Sequence, residues 1–147
     1  MLLTREDGYL LTDDRDRLDV GRLHSWLSED AYWALGCELS RVRASIAGSD
    51  CYGIYDAVQT QVGFCRVVTD HATFGWLCDV YLDPDHRGRG LGTWMVDQVR
   101  AVYAATGMRR LLLATSDAHE VYRRVGFGPL AEPSRWMEIE FNTPRSA

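Results

Sequence analysis

The segment Asp83-Pro84-Asp85-His86-Arg87-Gly88-Arg89-Gly90-Leu91-Gly92-Thr93 constrains this chain more than any other. Its glycines stand at alternate positions, with arginines at 87 and 89. An apolar, strand-like run (residues 76–82) leads in, and a helical pattern (residues 93–105) leads out. A strand, a tight glycine turn and a helix start together make an anion site. The first N–H groups of a helix lack intrahelical partners, and the macrodipole favours negative charge there. Glycine lets the backbone curl and approach a ligand closely. Two guanidiniums beside it suit a diphosphate.

Three phosphate-binding loops compete for this pattern. A Walker A loop needs a lysine after its last glycine. All 16 Lys/Arg residues of this chain are arginine, which removes that reading. A dinucleotide fingerprint needs Gly-x-Gly-x-x-Gly near the first strand of a parallel sheet. Here the spacing is Gly88-x-Gly90-x-Gly92, with about half of the chain upstream. Asp117, after the next apolar strand, stands where a ribose-binding acid would, so this alternative stays open. The third pattern is Arg-x-x-Gly-x-Gly, matched by Arg87, Gly90 and Gly92. A second stretch, residues 111–127, supports it: an apolar strand, a helix, and Tyr122 four residues before Gly126-Phe127.

With these two segments the chain resembles the GNAT superfamily of acetyl-CoA-dependent N-acetyltransferases, loosely upstream and more closely over residues 50–141. The resemblance implies an α/β (α+β) fold. Its central sheet would be mixed and mostly antiparallel, with one parallel, splayed strand pair and about four flanking helices. It also implies that Arg87, Gly88, Arg89, Gly90, Leu91, Gly92 and Thr93 hold the pyrophosphate of acetyl-CoA. Val80, Tyr81 and Leu82 would line the pantetheine, with main-chain pairing at Val80 and Leu82. Asp117 replaces a frequent asparagine; it joins the cofactor set by position, with its carboxylate expected to cap the helix rather than face a phosphate.

Composition bounds the rest. At 147 residues and 46% hydrophobic, a single domain over residues 1–147 with a real core is expected. A net charge of −5 argues against nucleic acid as an obligate partner. No apolar run approaches a membrane span and no signal-peptide pattern opens the chain, so a cytoplasmic protein without a membrane partner is expected. Cys37, Cys51, Cys65 and Cys78 form no C-x-x-C pair and read as reduced core thiols. The histidines have no ligand spacing with them, so no metal is expected.

The pass along the chain gives a first strand at residues 9–12 and helices at 19–27 and 38–47. Strands follow at 51–57, 61–69 and 73–82 as an antiparallel meander. After the glycine helix come a buried strand at 111–114, a helix ending at Val125 that Asp117 and Glu120 cap, and a final strand at 136–141.

Acetyl transfer to an amine needs a neutral amine, a stabilised thioester oxygen and a proton for the leaving thiolate. The resemblance implies direct attack in a ternary complex. Tyr122 is the expected proton donor to sulfur, since a phenol is protonated at neutral pH. Asp79 is the expected base, direct or through water, because it alone is acidic within the apolar run of residues 74–82. Its other reading is a solvated residue or the partner of an arginine. Alternation places Leu77, Asp79 and Tyr81 on one face unless a bulge intervenes. Tyr32, Trp33, Phe74 and Trp76 are expected to line the acceptor pocket, with Tyr55 reaching in. The acceptor would be a primary amine of a small molecule or peptide, and a homodimer is compatible with the chain. A non-catalytic acyl-CoA-binding or sensor module on the same fold, O-acetylation, and a longer acyl donor are the alternatives.

Overall fold

The computed structural model describes residues 1–141. Among them, six strands form one sheet in chain order: β1 (Leu2–Thr4), β2 (Leu10–Thr12), β3 (Asp50–Tyr55), β4 (Gln61–Thr69), β5 (Phe74–Leu82) and β6 (Arg110–Leu112). Neighbours from β1 to β5 are antiparallel, and β6 runs parallel to β5. The helices are α1 (Val20–Glu29), α2 (Leu39–Ala47), α3 (Leu91–Ala104) and α4 (His119–Arg124). The fold is the mixed, mostly antiparallel sheet with one parallel pair that the sequence implies.

Local chemistry sets several boundaries. Asp19 starts α1 by accepting the Arg22 N–H at 3.1 Å, and Gly48 closes α2 by donating to the Ala44 carbonyl at 3.1 Å. Between β3 and β4, Asp56 Oδ1 accepts from the Val58 and Thr60 N–H groups at 3.1 and 2.9 Å, which fixes the hairpin turn.

The sheet carries one apolar cluster on each face. Leu11, Ile54, Val62, Val67 and Leu77 pack with Met95, Val96 and Val99 of α3. Phe64, Tyr81 and Cys51 pack with Leu23, Trp26 and Leu27 of α1 and Val42 of α2. Burying an aliphatic side chain of this kind contributes roughly 1.5–3 kcal/mol, so these two clusters, rather than the surface ion pairs, hold the helices to the sheet.

Strand β5 changes face parity midway. Phe64 pairs with Tyr81 but Arg66 pairs with Cys78, two steps on β4 against three on β5. The extra residue makes a bulge, and Asp79 adopts a left-handed φ of 52° there. Before the bulge Leu77 faces α3; after it Val80 and Leu82 do, while Tyr81 faces α1. Leu77, Asp79 and Tyr81 therefore do not share one face. The parallel pairing with β6 covers only Phe74, Gly75 and Trp76, so the two strands part before the bulge.

Other expectations need correction. β1 was not anticipated; it is three residues long and mostly exposed, so its pattern is too weak to read. Residues 136–141 pair with no strand among the described residues. Asp117 does not cap α4. That helix begins at His119 after Ala118, and Thr115 Oγ1 accepts the Ala118 N–H at 3.1 Å. Ala118 occupies the N-cap position, and among the described residues no side chain accepts from the free N–H groups of the first turn; Thr115 orders only the approach to the helix.

Candidate active site

The parting of β5 and β6 opens a cleft of about 420 Å³. Leu77, Cys78, Asp79 and Val80 form one wall, and Leu113, Ala114 and Thr115 the other. Tyr122 closes one side from α4, and the α1–α2 connection covers the opposite side with Tyr32 and Trp33. Arg41, Val42 and Ser45 of α2 complete it.

Asp79 is fixed at both carboxylate oxygens. The Trp33 indole N–H donates to Oδ1 at 2.8 Å, and Arg66 Nε donates to Oδ2 at 2.6 Å. Arg66 in turn donates to Ser49 Oγ at 3.0 Å. The arginine-partner reading is thus realised, and each oxygen keeps a second lone pair toward the cleft. The bulge is what allows this: in regular alternation Asp79 would follow the parity of Leu77 toward α3.

Tyr122 stands across the cleft. Its ring meets Phe127 edge-on with centroids 5.9 Å apart, which gives the Gly126-Phe127 pair a packing role. Its hydroxyl has no hydrogen-bond partner among the described residues. Burial pushes its pKa up to about 12, so the phenol keeps its proton throughout the neutral range. Burial also raises the Cys78 thiol to about 11, which makes it a poor nucleophile although it lines the cleft.

The aromatic set divides. Tyr32, Trp33 and Trp76 line the cleft, and Phe74 does not. Phe74 opens β5 at the edge where the strand still pairs with β6, ahead of the splay. Tyr55 is buried over Gly53, where a Cβ would lie 2.6 Å from its hydroxyl, and it does not reach the cleft. Sequence reading missed Arg66, Arg41 and the link between Tyr32 and Ser116. In that link the Ser116 N–H donates to the Tyr32 hydroxyl at 3.0 Å and joins the α1–α2 connection to the far wall. Hydrogen bonding from Ser116, through its side chain first and its N–H second, lowers the Tyr32 pKa. Arg66 carries a sequence signal, as the one charge inside the apolar run of β4.

The glycine loop follows β5 directly. Gly88 and Gly90 have φ of 79° and 74°, a region that other residues enter at a cost of roughly 1–2 kcal/mol. Gly92 has an ordinary φ, and a Cβ on any of the three would meet nothing within 4 Å. The N–H groups of residues 88–93 have no protein acceptor, and the first helical bond runs from Trp94 to Gly90. The bulky side chains point elsewhere. Arg87 Nε donates to the Leu82 carbonyl at 3.0 Å with its guanidinium over Tyr81, and Arg89 donates to the Tyr9 hydroxyl at 2.9 Å. Arg5 donates to the Arg89 carbonyl at 3.0 Å and braces the loop. The backbone thus offers a row of free donors with open space before it, which fits a diphosphate. Among the described residues no group of three His, Cys, Asp or Glu is arranged to hold a metal ion, and no helix is long and apolar enough to cross a membrane.

Comparison with known proteins bears on this site. Residues 47–129 match a family described as an acetyltransferase (GNAT) domain. A protein of Gibberella zeae named as an acetyltransferase is 31% identical over 138 residues, covering 81% of this chain and 77% of its own. A solved structure from Xanthomonas campestris, described as belonging to the GNAT family, is 41% identical with a TM-score of 0.85, covering 90% of this chain and 93% of that one. Thialysine N-epsilon-acetyltransferase of Bos taurus is 31% identical over 70 residues, which is 45% of this chain and 41% of that protein.

Proposed function

The chain belongs to the GNAT family of acetyltransferases, and from that premise we propose that it moves an acetyl group from acetyl-CoA to a primary amine of a small molecule or peptide. The observation that carries this reading is the cleft at the splay, with a positioned carboxylate on one wall and an unpartnered, protonated phenol on the other. The free N–H groups of residues 88–93 hold the pyrophosphate. Freed main-chain groups near Val80 and Leu82 take the pantetheine and the thioester oxygen. The Leu82 carbonyl is already engaged by Arg87, which leaves its N–H for this purpose.

The acceptor arrives as an ammonium ion and must lose a proton before it attacks. Asp79 receives it through a water, since Trp33 and Arg66 already occupy one position on each oxygen. The amine nitrogen then bonds to the thioester carbon, the C–S bond breaks, and the electron pair leaves on sulfur. Tyr122 gives its proton to that sulfur and regains one from the nitrogen through solvent. Tyr32, Trp33 and Trp76 supply an apolar, aromatic wall for the acceptor's carbon chain. An amino-acid-like amine suits this wall, and the likeness to the thialysine enzyme supports the same class.

The test is release of free thiol from acetyl-CoA over a panel of primary amines, including ω-amino acids. Turnover with at least one amine, reduced ten-fold or more in Tyr122→Phe with acetyl-CoA affinity intact, is expected. Wild-type turnover in Tyr122→Phe would return this tyrosine to a packing role.

A further inference from the structure

Four charged side chains line the cleft: Arg41, Arg66, Asp79 and Asp117. Arg66 and Asp79 neutralise each other at 2.6 Å. Asp117 accepts the Thr115 hydroxyl at 3.5 Å. Arg41 is different. Its guanidinium has no hydrogen bond or ion pair among the described residues, not even with Glu38, three positions earlier at the start of α2. A guanidinium stays charged at any physiological pH and offers a planar fork of donors. Arg43, two residues on, is exposed and does not line the cleft, so the free cation belongs to one face of α2.

The place of this cation limits what it can hold. Arg41 and Ser45 stand one turn apart on the cleft face of α2. Ser49, just past the end of that helix, receives Arg66 at 3.0 Å and so adjoins the Asp79 pair. Arg41 lies about 9 Å of helical rise before that end. Trp33 and Trp76 line the same cleft, and the Trp33 indole N–H is bound to Asp79. The cleft therefore offers a carboxylate for the amine's proton, an aromatic wall, and a free cation set apart from the carboxylate. Its four charges cancel, so an acceptor with two opposite charged ends suits it. A diamine would leave Arg41 facing a second cation.

We propose that Arg41 binds a carboxylate of the acceptor, which makes the acceptor an amino acid with its reacting amine at one end of a carbon chain and the carboxylate at the other. The inference rests on the acetyl-transfer reading of the same cleft. Two parallel N–H bonds from the guanidinium fix the carboxylate, the aromatic side chains cover the methylenes, and the amine is held toward Asp79. Arg41 makes this contact equally before and during attack, so it acts on KM rather than on kcat.

Thiol release from acetyl-CoA tests this with straight-chain ω-amino acids of graded length, each beside its carboxamide and the diamine of the same length. Wild type is expected to favour at least one carboxylate over its carboxamide by about ten-fold or more in kcat/KM, through KM. Arg41→Ala should abolish that preference with acetyl-CoA affinity intact by calorimetry. Arg41→Lys should keep part of it, Arg41→Glu should turn it toward the diamine, and Arg43→Ala should keep it whole. Wild-type turnover without the preference, or a preference that survives in Arg41→Ala, would overturn the role of Arg41 and leave acetyl transfer standing. Lost acetyl-CoA affinity in a folded Arg41→Ala protein would assign the cation to the donor and overturn it equally. Silence with every amine would overturn the acetyl-transfer reading and this inference with it.

Discussion

Asp79 carries two duties that a single substitution can separate. Its left-handed φ of 52° makes the bulge, and its carboxylate holds Arg66 and Trp33. Asparagine tolerates that backbone region and has nearly the same shape. Asp79→Asn is therefore expected to fold with an unchanged circular dichroism spectrum and to lose turnover by about 10²-fold or more. Asp79→Ala should add a stability loss of about 1 kcal/mol, read by denaturant unfolding, because alanine pays for the left-handed angle. Equal turnover in Asp79→Asn and wild type would leave Asp79 a structural ion-pair partner. Tyr122 has a signature in pH. Its phenol ionises only near 12, so turnover should rise with pH as the acceptor amine deprotonates, without a falling limb below about pH 10. The sequence pointed to both residues through spacing and through a lone acid in an apolar run. It concealed Arg66 as Asp79's partner, because that contact crosses 13 positions and depends on a bulge.

At the scale of elements, the loop before α3 and the splay between β5 and β6 do different work. Gly88 and Gly90 are needed for their own backbone angles, whereas Gly92 is free of strain and faces open space. Gly90→Ala is expected to cost about 1 kcal/mol and to shift the loop, while Gly92→Ala leaves stability unchanged. Differential scanning calorimetry on the two variants separates them. The strand–glycine–helix order was readable because each part has its own periodicity. The bounds of β4 agree with the expected 61–69, since a nine-residue, nearly continuous buried run lies between two turns. The strand expected at residues 136–141 has an alternating pattern, but a pattern does not specify a partner, and no strand of the described residues pairs with it. Asp117 does not cap α4 because the loop's path, not its composition, decides which residue stands at the N-cap, and that residue is Ala118.

For the whole molecule, two apolar clusters on opposite faces of one sheet hold the four helices of the described residues, and the cleft lies where that sheet divides. Several buried phenols tie this packing to pH. Burial raises Tyr52, Tyr55 and Tyr122 to about 12 each, above the ordinary value near 10. The folded state thus holds these protons more tightly than the unfolded chain. Their stabilisation is complete below about pH 10 and is lost as pH rises toward 12. The melting temperature should be flat from pH 7 to about 9.5 and fall steeply above it; a flat profile to pH 12 would contradict the burial of these hydroxyls. The central claim, that the glycine loop binds the donor's pyrophosphate, is tested most directly by calorimetric titration of acetyl-CoA into wild type and Gly92→Asp. The account predicts micromolar binding to wild type and none to the variant, whose circular dichroism and melting temperature stay at wild-type values. Equal affinity in a folded Gly92→Asp protein would contradict it.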